Sequence, residues 1–140
     1  MFKMFRQSAS NSDLFNSARS GDVRRARRTL AAGVPVDVLD STGRTPLCLA
    51  AKYGHVEVMN FLISSGADVN LPDSEGRTPL FHAIYSRSNE AVKLMMEAGA
   101  TLDVTDSVGY SPYAYAVSRS HTQVLGLLKG TDDEASSQKG

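Results

Sequence analysis

The chain of 140 residues contains one cysteine, Cys48, and no Asn-x-Ser/Thr glycosylation signal. A lone cysteine cannot build the disulfide framework that small secreted domains use, so we expect a reducing compartment, the cytoplasm or the nucleus. The sequence also lacks an apolar run long enough for a membrane helix or for the core of a secretory signal. These absences predict a protein that does not engage a membrane.

Net charge is absent as well, because fifteen basic residues are balanced by fifteen acidic ones. The two signs are unevenly spread: residues 1–39 hold seven basic and three acidic groups, a net of +4, and the remainder carries −4. A chain without excess positive charge lacks the general electrostatic attraction that nucleic-acid-binding proteins use. We therefore do not expect nucleic acid to be the main partner.

What the sequence does contain is a repeat. The segment 40–72 is restated by 73–105 and more loosely by 106–130, and the three segments begin at or next to aspartates 33 residues apart, Asp40, Asp73 and Asp106. Self-similarity at this period is typical of stacked repeat proteins.

Each unit is predicted to form two short helices. In 40–72, Thr45 can cap a helix, and Pro46 fits its first position. Gly54 ends that helix, a second apolar helix follows, and Gly66 ends it before a turn-rich connector. One such unit cannot bury its apolar surface alone, so the units must stack.

These residues resemble the ankyrin repeat. The resemblance implies an all-α solenoid of about four helix-turn-helix units with β-hairpin-like loops. It also implies that a partner protein meets the hairpin tips and the inner face of the first helices. The family's motif histidine is replaced by Cys48, Phe81 and Ala114. The residues of segment 40–72 that match the family pattern are Gly43, Thr45, Pro46, Leu47, Ala50, Ala51, Gly54, His55, Leu62, Gly66, Ala67, Asp68 and Asn70.

The predicted ankyrin-repeat domain occupies residues 12–130, and its terminal units act as caps because their outward sides turn polar. Ser12 stands 33 residues before Thr45 and is expected to cap the first helix. Residues 1–11 are expected to form a flap or a disordered end, with a targeting peptide as the alternative, and 131–140 a disordered polar tail. The predicted units are 12–39, 40–72, 73–105 and 106–130.

An arginine cluster marks the second helix of the first unit. Two of its members stand where Val58 and Phe61 stand in the next unit, which favours a solvated cap. The alternative is a nuclear factor with weak nucleic-acid association through this cluster, but no aromatic residues are interleaved with it. The cluster consists of Arg24, Arg25, Arg27 and Arg28.

Residue combinations that carry catalysis are missing. No glycine segment has the Lys-Ser/Thr pair of a phosphate loop. His55 and His121 stand two periods apart, which indicates equivalent structural positions, and His82 is isolated in the sequence. Cys48 lies on an apolar stripe and is expected to be a small buried side chain. We therefore expect no enzyme activity, no cofactor and no metal.

Binding is expected at positions that vary while the frame repeats. These positions are rich in arginine and tyrosine, the residue types that dominate interface energetics, and they carry five basic groups against one acidic group. They predict a monomer that binds another protein through an acidic surface or segment. The predicted protein-binding residues are Arg19, Arg44, Lys52, Tyr53, Glu75, Arg77, Tyr85, Tyr110 and Arg119.

The resemblance suggests three further hypotheses. The chain is similar in length to ankyrin inhibitors of cyclin-dependent kinases, which makes an inhibitory subunit of an enzyme the alternative function. Those inhibitors have a shortened first helix in their second repeat, and this sequence does not predict one. Asn70 resembles sites of asparagine hydroxylation, and Thr131, which precedes three acidic residues, resembles an acidophilic kinase site.

Overall fold

The computed structural model describes residues 9–128, which form helices and turns and contain no strand. The helices follow one another in pairs, and this confirms the predicted all-α repeat solenoid. The expectations for 1–8, for 129–140 and thus for Thr131 lie outside the described residues. The helices are α1 Asn11–Ser20, α2 Val23–Ala31, α3 Pro46–Lys52, α4 Val56–Ser64, α5 Pro79–Ser86, α6 Asn89–Glu97, α7 Pro112–Ser118 and α8 Leu125–Leu128, the last preceded by a 3-10 turn at Thr122–Val124.

The helices stack in two rows. The first helices α1, α3, α5 and α7 each contact the next in their row, and α2, α4 and α6 do the same in the second row. Large apolar side chains from both rows, among them Leu47, Met59, Leu62, Leu80 and Met95, are fully buried. Removing this surface from water is the main force that holds neighbouring units together.

The starts of the first helices follow the sequence signals with one correction. Thr45 Oγ1 accepts a hydrogen bond from the Cys48 amide at 3.2 Å, as predicted. The prediction that Ser12 caps the first helix is wrong, because α1 begins at Asn11 and its cap is Ser10. The backbone N–H of Ser10 donates to the carboxylate of Asp13 at 2.8 Å. This pairing requires an acid three residues after the cap, and Ser12 has a phenylalanine there.

The turn between the two helices of each unit needs one residue with positive φ. Glycine takes this position in the first two units, Gly21 at +80° and Gly54 at +71°. In the last two units it is taken by Arg87 at +65° and Ser120 at +56°. A residue with a Cβ is strained in this region, so the C-terminal half of the stack carries backbone strain that the N-terminal half avoids.

We expect Ser120→Gly to raise the free energy of unfolding by about 0.5–1 kcal/mol, since glycine relieves the left-handed strain at a small entropic cost. The matched control is Ser64→Gly at the end of α4, where the same exchange should lower the free energy of unfolding by roughly 0.5 kcal/mol. Urea unfolding followed by circular dichroism measures both. Equal destabilisation by the two exchanges would show that residue 120 is not strained.

Candidate functional site

The three aspartates that begin the units hold the hairpin loops. In each loop Oδ1 accepts hydrogen bonds from the backbone N–H groups two and four residues further on, at 2.9–3.0 Å. Burial would raise the pKa of these carboxyls, but the hydrogen bonds outweigh it and lower the pKa of Asp40, Asp73 and Asp106. The hairpin role predicted for them is confirmed.

Backbone hydrogen bonds join the loops into one row. The Ser74 amide donates to the Thr42 carbonyl at 3.0 Å, and the Ser107 amide donates to the Glu75 carbonyl at 2.8 Å. Gly43 lies at the closest approach with a φ of +75°, and a Cβ there would be 3.1 Å from the Ser74 nitrogen. Glycine is needed at this position for both its φ and its lack of a side chain.

Two arginines predicted to meet a partner are already paired within this row. Arg44 Nε lies 3.4 Å from Asp40 Oδ2. Arg77 Nε lies 3.1 Å from Asp106 Oδ2, and its Nη1 is 3.6 Å from Glu75 Oε1. The equivalent position in the last unit is Tyr110. The hairpin row therefore carries less free positive charge than its residue types predict.

A second line of predicted residues runs along the C-terminal ends of the first helices. Lys52 Nζ lies 5.7 Å from the ring centroids of both Tyr53 and Tyr85. Arg119 Cζ lies 4.6 Å from the centroid of the Tyr85 ring and 6.0 Å from that of Tyr115. Cation–π contacts of this kind hold flexible side chains in place at the surface.

Tyr115 connects the two lines, and sequence reasoning missed it. Its ring lies 5.0 Å from Arg77 Cζ and packs edge-on against Tyr110 at 6.2 Å. Tyr115 stands 33 residues after His82, which in turn stands 33 after Leu49. A polar-capable ring replacing leucine at one repeat position was the signal that could have identified both residues.

A small cavity of about 130 Å³ lies where the two lines meet. Five of the nine predicted binding residues line it, together with Phe81, His82 and Tyr115. Of the other four, Tyr53, Tyr110 and Arg119 join this group through the ring contacts described above. Arg19 lies outside the group and hydrogen-bonds Asn16 at 3.1 Å. The five lining residues are Arg44, Lys52, Glu75, Arg77 and Tyr85.

The family model for ankyrin repeats, which spans three copies of the repeat, matches residues 14–106 and 73–137. The chain belongs to the ankyrin-repeat family. No curated protein matches the chain. Ankyrin repeats generally mediate protein–protein interaction, and domains built from them are typically non-catalytic.

The arginine cluster of the first ankyrin unit is partly engaged. Arg25 donates to Asp13 at 2.8 Å, and Arg27 lies 4.8 Å from the centroid of the Phe61 ring. Arg24 and Arg28 are exposed. Contacts of two of the four side chains with α1 and α4 support the cap interpretation.

Asn70 has a structural role at the next hairpin. Its Oδ1 accepts from the Thr101 amide at 2.8 Å, and its Nδ2 donates to the Gly99 carbonyl at 3.3 Å. Hydroxylation at Asn70 stays a prediction. Cys48 is fully buried, as expected.

Neither a metal centre nor a membrane span is found in the part of the chain that the structure describes. No group of three or more His, Cys, Asp or Glu side chains between residues 9 and 128 could hold a metal ion. Over the same residues, no helix combines the length and the apolar character that crossing a membrane requires.

The interpretation of His82 as an isolated side chain is wrong. His82 Nε2 lies 3.0 Å from Asp73 Oδ2, with 10% and 3% of the two side chains exposed. The two residues are nine apart in the sequence, and the hairpin folds back over α5 to bring them together. Burial alone would lower the pKa of His82, but the Asp73 carboxylate overrides it and raises that pKa. A buried ion pair therefore sits beneath an ankyrin hairpin whose motif position holds Phe81.

We expect His82 to make stability depend on pH. Because its folded-state pKa is raised, its contribution is complete below the unfolded pKa of about 6.5 and is lost as pH rises through the folded value. His82→Gln keeps a hydrogen-bond donor but removes this dependence. Urea unfolding of both proteins between about pH 5.5 and pH 9 measures the difference.

His121 provides the control of opposite sign. Burial, with a smaller effect of Arg87, lowers the pKa of His121, so its effect is a loss of stability as pH falls below about 6.5. His121→Gln should therefore remove a dependence on the acid side only. Parallel stability curves for wild type and His82→Gln above pH 6.5 would contradict the assignment of His82.

Proposed function

We propose that this chain is a non-enzymatic protein-binding module, an adaptor or scaffold, whose partner contacts one ridge. The binding ridge consists of Tyr53, Tyr85 and Tyr110 with the cations Lys52 and Arg119. The observation that carries the proposal is the exposure of the three rings, 48%, 43% and 36% respectively. Contacts through Lys52, Arg119 and the buried Tyr115 link them without a break.

The binding ridge has the properties of an interface before any partner arrives. Tyrosine supplies a large apolar area with a polar end, and arginine and tyrosine are enriched among the residues that dominate binding energy. The cation–π contacts hold these side chains in one arrangement. Binding then loses less side-chain entropy than it would with freely rotating groups, which favours affinity.

The alternative functions have less support. An inhibitory subunit of the kind suggested by the resemblance would have a shortened α3, but α3 and α7 both span seven residues. Association with nucleic acid through the arginine cluster is disfavoured by the contacts of Arg25 and Arg27 within the fold. The cytoplasmic or nuclear location and the monomeric state stay predictions.

The test is affinity purification from an extract of the native cell with quantitative mass spectrometry. We expect wild type to enrich a partner protein and the variant Tyr53→Ser/Tyr85→Ser/Tyr110→Ser to lose it, since the three rings supply the contact area. The matched control, Lys93→Ser/Glu97→Ser/Leu127→Ser, changes three exposed residues of the second helices and should keep the partner. Circular dichroism of each purified variant checks that the stack is intact.

Two results would count against the proposal. If the folded triple-tyrosine variant recovers the partner as well as wild type does, the ridge is not the interface. If wild type enriches no protein above bare beads, the chain is not acting as a binding module in that cell.

A further inference from the structure

The positive charges on the partner-facing side fall into two classes. Arg44 and Arg77 are paired with carboxylates of the hairpin row. Within residues 9–128, no carboxylate oxygen lies within 4.0 Å of Lys52 or Arg119. A partner that binds Arg77 must displace Asp106, whereas a partner that binds Lys52 or Arg119 displaces only water and contacts to rings.

The two unpaired cations come from different units and converge on one ring. Lys52 ends α3, and Arg119 caps the C-terminal end of α7. Tyr85 lies between them near the end of α5, 5.7 Å from Lys52 Nζ and 4.6 Å from Arg119 Cζ. Attraction to the helix dipole accounts for a cation at each helix end, but it does not account for their convergence on one exposed ring.

The geometry limits what the three side chains can recognise. The charged groups are separated by no more than the sum of their distances to the Tyr85 centroid. The planar guanidinium of Arg119 can bind a carboxylate with two hydrogen bonds, and Lys52 offers a point charge. In an extended peptide, side chains two positions apart project to the same side, about 6.5–7 Å from each other. Two acidic side chains with that spacing can reach both cations while the intervening backbone crosses the ring.

We propose that Lys52, Tyr85 and Arg119 form an acid clamp, which binds an extended segment of the partner protein carrying two acidic residues separated by one other residue. This inference rests on the proposed function, because it names the chemistry that the binding ridge selects. The Tyr85 ring holds both cations in place and contacts the peptide backbone between the two acids. Association is expected to weaken as salt is raised, because both recognised charges are near the surface.

The probe is a peptide chosen by the protein itself. Random displayed peptides of about twelve residues are selected on the full chain, and the most enriched sequence is synthesised with a fluorescent label for anisotropy measurements. We expect enriched sequences to carry an Asp or Glu pair at positions i and i+2. Lys52→Gln/Arg119→Gln should weaken binding of the labelled peptide at least about tenfold, which is the scale of losing two charge contacts.

Two further variants separate the clamp from general electrostatics. Tyr85→Leu leaves both charges but removes the ring that positions them, and we expect it to weaken binding by about the same factor. Arg24→Gln/Lys93→Gln removes the same two positive charges from exposed positions on the second helices and should change the affinity less than about twofold. Thermal unfolding of each variant confirms that it is folded at the assay temperature.

Several results would overturn the acid clamp. These are selection of peptides without acids, unchanged binding by Lys52→Gln/Arg119→Gln, and tighter binding of a twelve-nucleotide single-stranded DNA through the same residues. Another is binding seen only after Asp132, Asp133 and Glu134 are neutralised, which would assign the clamp to the chain's own acidic segment. If the clamp fails while the native partner still depends on the three ridge tyrosines, the proposed function stands without it.

Discussion

No helix pair of this chain can bury its own apolar surface, and the rest of the structure depends on this constraint. Leu47 and Leu80 occupy the same position in successive units, and both are fully buried in the stacked core. Stacking at a constant period places every equivalent residue in a line. The binding ridge is therefore a consequence of core packing, because side chains that point away from the core at one repeat position must become neighbours.

The fold could be predicted from the sequence because its signals are local and repeated. Thr45-Pro46 starts a helix wherever it occurs, and a glycine with positive φ ends one. The cap of α1 was misassigned because the register of the later units was extended to a unit that starts differently. At Ser10 the acid three residues on decides the helix start, and the period of 33 does not.

The site could be predicted only in part, because its electrostatics depend on contacts between units. The residues that would line the face were identified by position, and most of them do meet. Their charge state was not, because Arg77 is neutralised by Asp106, a residue of the next unit. The His82–Asp73 pair was missed for the same reason, since a hairpin fold separates sequence neighbours from spatial ones. Half-exposed ion pairs of this kind add little stability, but they decide which cations remain for a partner.

The strained turns at Arg87 and Ser120 have a consequence for how the stack opens. Repeat stacks come apart locally, and the units with the weakest intrinsic stability exchange their amide hydrogens first. The left-handed turns without glycine lie in the last two units, so fraying proceeds from the C-terminal end. Arg119 lies beside one of these turns. A ligand held by Arg119 would bind only the closed form of the last unit, and occupancy would slow hydrogen exchange in α7.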